Sequence, residues 1–273
     1  MAVQTIVVTG STRGIGRGLA VEFLKRGHQV VISGRSPDAV SRAVQDLGAG
    51  NSLLGHTCDV RELASVQALW DAAVGRFGRV DMWINNAAIA TDRLRLDELP
   101  GDQIVATIDT NLAGTLFGCK VALAGMLKQG SGQIYTFEGF GSDGMTSPGL
   151  AVYGSTKRAI RYLTQALAKE YRDSPVLIGS LSPGIVATDL LVYSSKTRDP
   201  GEWQRAKRVM NILGDTVETV TPWLAEQALA NQKQGARIAW LTRGKALRRF
   251  LTAPFIKRDL ISELEARGDL VVR

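Results

Sequence analysis

Short apolar runs alternate along the chain with longer stretches whose apolar residues recur at helical spacing. Thr5 to Val8 is followed by Ile15, Leu19, Phe23 and Leu24 on one helical face, and then by Val30 to Ile32, which reads as strand, helix, strand. The same rhythm predicts strands at Ser52 to Leu54 leading into Cys58, Val80 to Ile84, Ile134 to Phe137, Val176 to Leu181 and Ile238 to Leu241, seven in all. Near-continuous apolar strands separated by helices imply a parallel sheet covered on both faces, because parallel neighbours need a crossover. The expected fold is a single doubly wound α/β domain over residues 1–242, with no internal repeat or linker to divide it.

Two segments depart from the rhythm. An irregular stretch near 184–215, containing Pro183-Gly184 at its start, Ser194-Ser195 and Asp199-Pro200-Gly201, follows the sixth strand. Ligands of open α/β sheets bind beyond the carboxyl ends of strands, so this stretch is expected to cover a substrate. Residues 243–273 form a C-terminal segment in which Arg243, Lys245, Arg248, Arg249, Lys257 and Arg258 precede the first acid, Asp259, with Leu247, Phe250, Leu251, Phe255 and Ile256 between them. Packing on the domain, on a second subunit or on an anionic membrane surface all fit that pattern.

Composition narrows the class. With 273 residues, 45% hydrophobic and 22% charged, the chain can bury a large core and is neither disordered nor collagen-like. A net charge of +7 favours anionic partners without choosing among phosphates, acidic substrates and lipid headgroups. Nucleic acid is set aside, because no recognition module accompanies the charge. Cys58 and Cys119 are too few for a disulfide framework and stand at no metal-ligand spacing, so no metal is expected and a reducing, cytoplasmic compartment is. No secretory leader precedes the first strand, and no apolar run approaches the roughly 20 residues of a membrane span, so a soluble or peripheral protein is expected.

The first strand runs directly into Thr9-Gly10-Ser11-Thr12-Arg13-Gly14-Ile15-Gly16, where a helix opens. Glycines there permit a tight turn and close backbone approach, and the unpaired N–H groups of the helix start attract a pyrophosphate. Tyr153 and Lys157 form the only Tyr-x-x-x-Lys pair of the sequence and fall on one face of a helix continued by Ile160, Leu163 and Leu167. A phenol with an ordinary pKa near 10 needs a neighbouring cation to exchange protons at neutral pH, and Lys157 is placed to supply one.

The spacing of Gly10, Gly14 and Gly16, together with Tyr153 and Lys157, resembles the short-chain dehydrogenase/reductase family. That resemblance implies a Rossmann-type fold, a nicotinamide cofactor, a small-molecule carbonyl substrate and a homo-oligomer. In the family an acid at the end of the second strand pairs with the ribose of NAD; here Ser33-Gly34-Arg35-Ser36 has none, and Arg35, with Arg13 and the neighbouring Ser36, suits the 2′-phosphate of NADPH. Further elements follow in the family's order. Asp59-Val60 resembles the pair contacting adenine, and Asn85-Asn86-Ala87-Ala88 resembles Asn-Asn-Ala-Gly. Asn111 matches the asparagine that supports a relay water beside the lysine, and Pro183-Gly184-Ile185-Val186-Ala187-Thr188 matches the segment gripping the carboxamide.

One element is missing. The family's carbonyl-polarising serine aligns with Gly139, and Ser142 is the nearest replacement, with an exposed loop serine as the competing account. The segment Glu138-Gly139-Phe140-Gly141-Ser142 instead resembles the chlorophyll(ide) b reductase, or non-yellow-coloring, branch, as do Tyr153-Gly154-Ser155-Thr156-Lys157-Arg158, Asn211-Ile212-Leu213 and Trp240-Leu241-Thr242. The implied reaction is NADPH-dependent reduction of a pigment 7-formyl group to hydroxymethyl. A general ketone or 3-oxoacyl reductase and a non-catalytic NADPH-binding regulator are the alternatives.

Overall fold

The computed structural model describes residues 2–191, 200–256 and 258–262. Its centre is a seven-stranded, all-parallel sheet in the order β3-β2-β1-β4-β5-β6-β7. The strands are β1 (Thr5–Val8), β2 (Gln29–Gly34), β3 (Leu53–Thr57), β4 (Met82–Asn85), β5 (Gly132–Phe137), β6 (Val176–Ser182) and β7 (Arg237–Ala239). Between them run α1 (Gly14–Lys25), α2 (Pro37–Leu47), α3 (Leu63–Phe77), α4 (Gly101–Ile108), α5 (Gly114–Gln129), α6 (Ala151–Glu170), α7 (Pro200–Leu213) and α8 (Val217–Ala230), with α9 (Arg243–Thr252) last.

The two-residue period of a strand separates β1 into two cores. Ile6 and Val8 face Leu19 and Phe23 of α1 and Val220 and Leu224 of α8. Val7 faces the other way, into a cluster with Trp70 of α3, Trp83 of β4 and Met126 of α5. Both faces of the sheet are therefore dry, and polar chemistry is confined to the strand ends and their loops.

The last strand is shorter than its apolar run. β7 ends at Ala239; Trp240 still donates its backbone N–H to Ser182 O at 2.9 Å, and its indole N–H donates to Asp215 Oδ2 at 2.6 Å. Helices α4 and α5 are joined through a π-helical turn, Asp109–Ala113, into a 29-residue stretch that is long and apolar enough by composition to cross a membrane. The expectation of no such stretch counted only uninterrupted apolar runs, and this one is interrupted by Thr, Asn and Gly. It lies against β4, β5, α3 and α6, and 56% of its most apolar window is buried.

The C-terminal segment is tied to the domain by one buried carboxylate. Asp215 accepts from Arg249 at 2.9 Å and from Arg258 at 3.1 Å, besides Trp240. Burial alone raises its carboxyl pKa, but hydrogen bonds from Arg249, Trp240 and Arg258 hold it below the usual carboxylate range. Of the stretch expected to cover a substrate, residues 192–199 lie outside the described residues, and so does Lys257. Met210 of α7 is buried with Ala187, Leu260 and Ile261.

Candidate active site

The glycine turn leaves the carboxyl end of β1 and opens α1. Gly10 has φ +62°, and a Cβ there would come within 2.8 Å of Ala87 Cα, so only glycine lets the first turn close onto the loop after β4. A Cβ at Gly16 would strike the Asn86 side chain at 2.5 Å. That side chain donates to the carbonyls of Thr9 at 2.8 Å and Gly10 at 3.0 Å. Gly14, with φ +57°, faces Thr188, whose methyl lies 3.7 Å from the position of a Cβ. The result is a tightly closed glycine turn at the start of α1, packed against Asn86 and Ala87 on one side and facing Thr188 on the other. Ala88 follows Ala87 and is half-buried, and Thr188 accepts from Leu191 N–H at 3.4 Å.

Several residues expected to touch a cofactor have structural duties. Ser11 is buried and couples β1 to β2, donating to Val8 O at 2.6 Å and accepting from Ser33 N–H at 2.9 Å. Ile15 packs on the core, and Ser36 caps α2 by accepting from Ala39 N–H at 3.3 Å. Val60 is buried against Gly114, and Asp59 accepts from Arg61, whose hydrogen bonds pull its carboxyl pKa down. Arg35 is exposed at the end of β2, and Thr12 packs against Gly34. Arg13 stands immediately before α1 and reaches Asp189 at 3.4 Å, joining the glycine turn to the segment after β6. In that segment Pro183 and Val186 are buried, and Gly184, with φ +76°, abuts Leu241. Ile185 and Ala187 on either side of Val186 bond the backbone of Asp215.

Asn111 is fully buried in the π-helical turn. Single π-turns inside α-helices are frequent at functional sites. The Asn111 amide clamps Ile89, accepting from its N–H at 2.8 Å and donating to its carbonyl at 2.9 Å, and also donates to Thr156 Oγ1 at 3.2 Å. Thr156 in turn donates to Tyr153 O at 2.7 Å. A chain of contacts thus runs from Gly10 through Ala87, Ile89 and Asn111 to the first turn of α6, where Tyr153 and Lys157 project. Thr156 was not foreseen, although its place between the two on the same helix face was available as a signal.

Lys157 is buried, and its ammonium donates to Phe137 O at 3.3 Å. Its Nζ lies 5.7 Å from the Tyr153 ring centroid. Burial lowers the Lys157 pKa to about 8 and pushes Tyr153 up to about 12. The expected downward pull of the lysine on the phenol is therefore not the dominant effect here: desolvation of the phenolate outweighs it. What burial does produce is a lysine that titrates near neutrality beside a phenol that does not.

Ser142 does not present a free hydroxyl to a substrate. It is buried, accepts from Gly139 N–H at 3.0 Å and donates to Lys157 O at 3.2 Å, so the proton expected to polarise a carbonyl is already engaged. Its own carbonyl accepts from Arg158 at 3.0 Å. The neighbouring Glu138 is also structural: buried, it accepts from Arg237 of β7 and from Ser180. Residue 139 itself lies against the Tyr153 hydroxyl, since a Cβ there would stand 2.6 Å from Tyr153 Oη.

Comparison with known proteins agrees with this geometry. Residues 4–199 match the family described as short chain dehydrogenase. The chain is 39% identical over 227 residues to the chloroplastic chlorophyll(ide) b reductase NOL of Oryza sativa subsp. japonica, covering 80% of this chain and 64% of that protein. Its counterpart in Arabidopsis thaliana is 37% identical, over 85% of this chain and 67% of the relative. The probable chlorophyll(ide) b reductase NYC1 of Oryza sativa subsp. japonica is 33% identical, over 97% of this chain and 55% of the relative. The chain thus spans about two thirds or less of these relatives' length. Among solved structures, a 3-ketoacyl-(acyl-carrier-protein) reductase from Brucella melitensis complexed with NADH superposes with a TM-score of 0.78 at 22% identity, covering 89% of this chain and 98% of that one.

Proposed function

The chain belongs to the short-chain dehydrogenase family, and from that premise we propose that it is an NADPH-dependent carbonyl reductase acting on the 7-formyl group of a chlorophyll(ide) b-type pigment. The observation that carries the reading is the union of the Gly10–Gly16 turn and the Tyr153–Lys157 pair through Ala87, Ile89, Asn111 and Thr156. A module that only bound a dinucleotide would need the glycine turn without the phenol and the amine.

The residues present fit the cofactor. The turn admits no Cβ at Gly10 or Gly16, α1 opens from it without an acid in its first turn, and Arg13 at the start of α1 and Arg35 at the end of β2 are both exposed. A bound NADPH supplies hydride. Around it, Arg35 holds the 2′-phosphate and the backbone N–H groups of the turn hold the pyrophosphate. Tyr153 hydrogen-bonds the formyl oxygen and gives up its phenolic proton as that oxygen becomes an alkoxide, leaving a hydroxymethyl group. The phenolate left behind is the stronger base, since Tyr153 sits at about 12 and Lys157 at about 8, so the ammonium proton moves to Tyr153 downhill. Asn111 and Thr156 fix the helix turn that carries both groups. Ser142 acts as a positioning residue that holds Gly139 and Lys157 together.

Two things support a large flat substrate: similarity to the chlorophyll(ide) b reductases over most of the chain, and exposed Phe140 and Met145 on the loop that follows Gly139. The enzyme is proposed to work in the cytoplasm as a homo-oligomer, the latter supported by exposed Leu63 of α3 and Leu116 and Leu127 of α5. A substrate panel with NADPH tests the reading. Chlorophyll(ide) b is expected to be reduced in preference to a 3-oxoacyl thioester and a small aldehyde; preference for the thioester assigns the general reductase, and no oxidation of NADPH with any of the three refutes enzymatic function.

A further inference from the structure

We propose that α9 and the turn after it form a docking face for an anionic lipid surface. The helix is amphipathic in the reverse sense for one on a protein exterior. Its inward side carries cations: Lys245 Nζ lies 3.0 Å from the Trp240 ring centroid, and Arg249 binds buried Asp215 and the Leu213 carbonyl. Its outward side carries Leu247, Phe250 and Leu251, and the turn adds Phe255 and Ile256; Leu247 and Leu251 are 61% and 66% exposed, and Phe255 87%. Scattered exposed apolar side chains are ordinary, whereas such a contiguous set marks a contact surface.

Charge selects the occupant. Arg243 and Arg248 are exposed beside the apolar residues, and the sequence holds no acid between Arg243 and Arg258. Beneath the face Asp215 is buried and already bound by Arg249 and Arg258, and Asp259, after the turn, accepts from Asn211. An isologous contact with a second copy would set this uncompensated positive face against itself. A bilayer bearing anionic headgroups meets both needs, taking Phe255 and Leu251 into its acyl boundary while Arg243 and Arg248 stay at headgroup level. The face is rigidly connected to the active end of the sheet, because Asp215, which anchors α9, also pairs its backbone with Ile185 and Ala187. Docking would therefore hold the site at a fixed height above the lipid, whichever carbonyl it reduces.

Co-sedimentation of the full chain with equimolar phosphatidylglycerol/phosphatidylcholine vesicles tests this, with pure phosphatidylcholine vesicles as the second arm. The protein is expected to partition onto the anionic vesicles and to lose that binding at high salt. Leu251→Glu/Phe255→Glu is expected to lower partitioning at least about tenfold, and Arg243→Gln or Arg248→Gln about fivefold each. Since these side chains face solvent, unfolding temperature and NADPH affinity should be unchanged in every variant. Equal binding to neutral vesicles, unaltered partitioning of the double variant, or self-association that the double variant abolishes in a protein that stays in the supernatant would each overturn the proposal.

Discussion

Gly139 abuts the Tyr153 hydroxyl so closely that a Cβ at residue 139 would stand 2.6 Å from Tyr153 Oη and 3.3 Å from Lys157 Cε. The space beside the position that aligns with the family's serine is thus filled by Tyr153 and Lys157. Gly139→Ala is expected to displace the phenol and lower kcat about 10- to 100-fold, with a stability loss of about 1–3 kcal/mol from overpacking. Steady-state kinetics and thermal unfolding check this; a Gly139→Ala or Gly139→Ser enzyme of full activity would place the phenol elsewhere during turnover.

Ser142→Ala separates positioning from direct catalysis. Losing an oxyanion donor costs about 10²–10³ in kcat. Losing the bonds to Gly139 N–H and Lys157 O instead costs about 1–3 kcal/mol of stability, with less than about a tenfold fall in kcat. A stable Ser142→Ala protein with a thousandfold loss of turnover would restore the serine to the carbonyl.

Cofactor choice is expected to rest on Arg35, which lies exposed at the end of β2 with no acidic residue beside it in Ser33-Gly34-Arg35-Ser36. Arg35→Ala should weaken NADPH at least about tenfold while leaving NADH almost unchanged, because the lost bonds are charge-assisted and specific to the phosphate. Titration of both dinucleotides by fluorescence measures it. Equal weakening of the two would move the residue's role away from the phosphate.

How much of this could be read from the chain depends on distance along it. β1 and α1 were legible because Ile6, Val8, Leu19 and Phe23 meet in one core and announce themselves by period. The glycine turn, Tyr153 and Lys157 were legible because each is local, within eight or five residues. The Asp215 hub was not: its partners Trp240, Arg249 and Arg258 stand 25, 34 and 43 residues away, and nothing local marks a buried aspartate. β3 was only half legible, since Gly55-His56-Thr57 on an edge strand need not be apolar. The engagement of Ser142 and the upward shift of Tyr153 are properties of burial, which composition does not reveal.

The proton sequence makes a pH prediction. Lys157, lowered to about 8 by burial, must be charged to resupply Tyr153, and it is charged below that pH. In the free enzyme, kcat/KM for NADPH should therefore be level below about pH 8 and fall about tenfold per unit above it. Lys157→Met should be slow at every pH and lack that inflection. A wild-type profile that rises through pH 8 would reverse the assigned roles.

The central claim is that the Tyr153 phenol protonates the carbonyl oxygen, and turnover of chlorophyll(ide) b with NADPH by Tyr153→Phe, beside the unaltered enzyme, tests it most directly. The account predicts a kcat lowered by about 10²–10⁴ with NADPH affinity preserved, because the lost hydroxyl acts in the transition state. Turnover equal to that of the unaltered enzyme would contradict it.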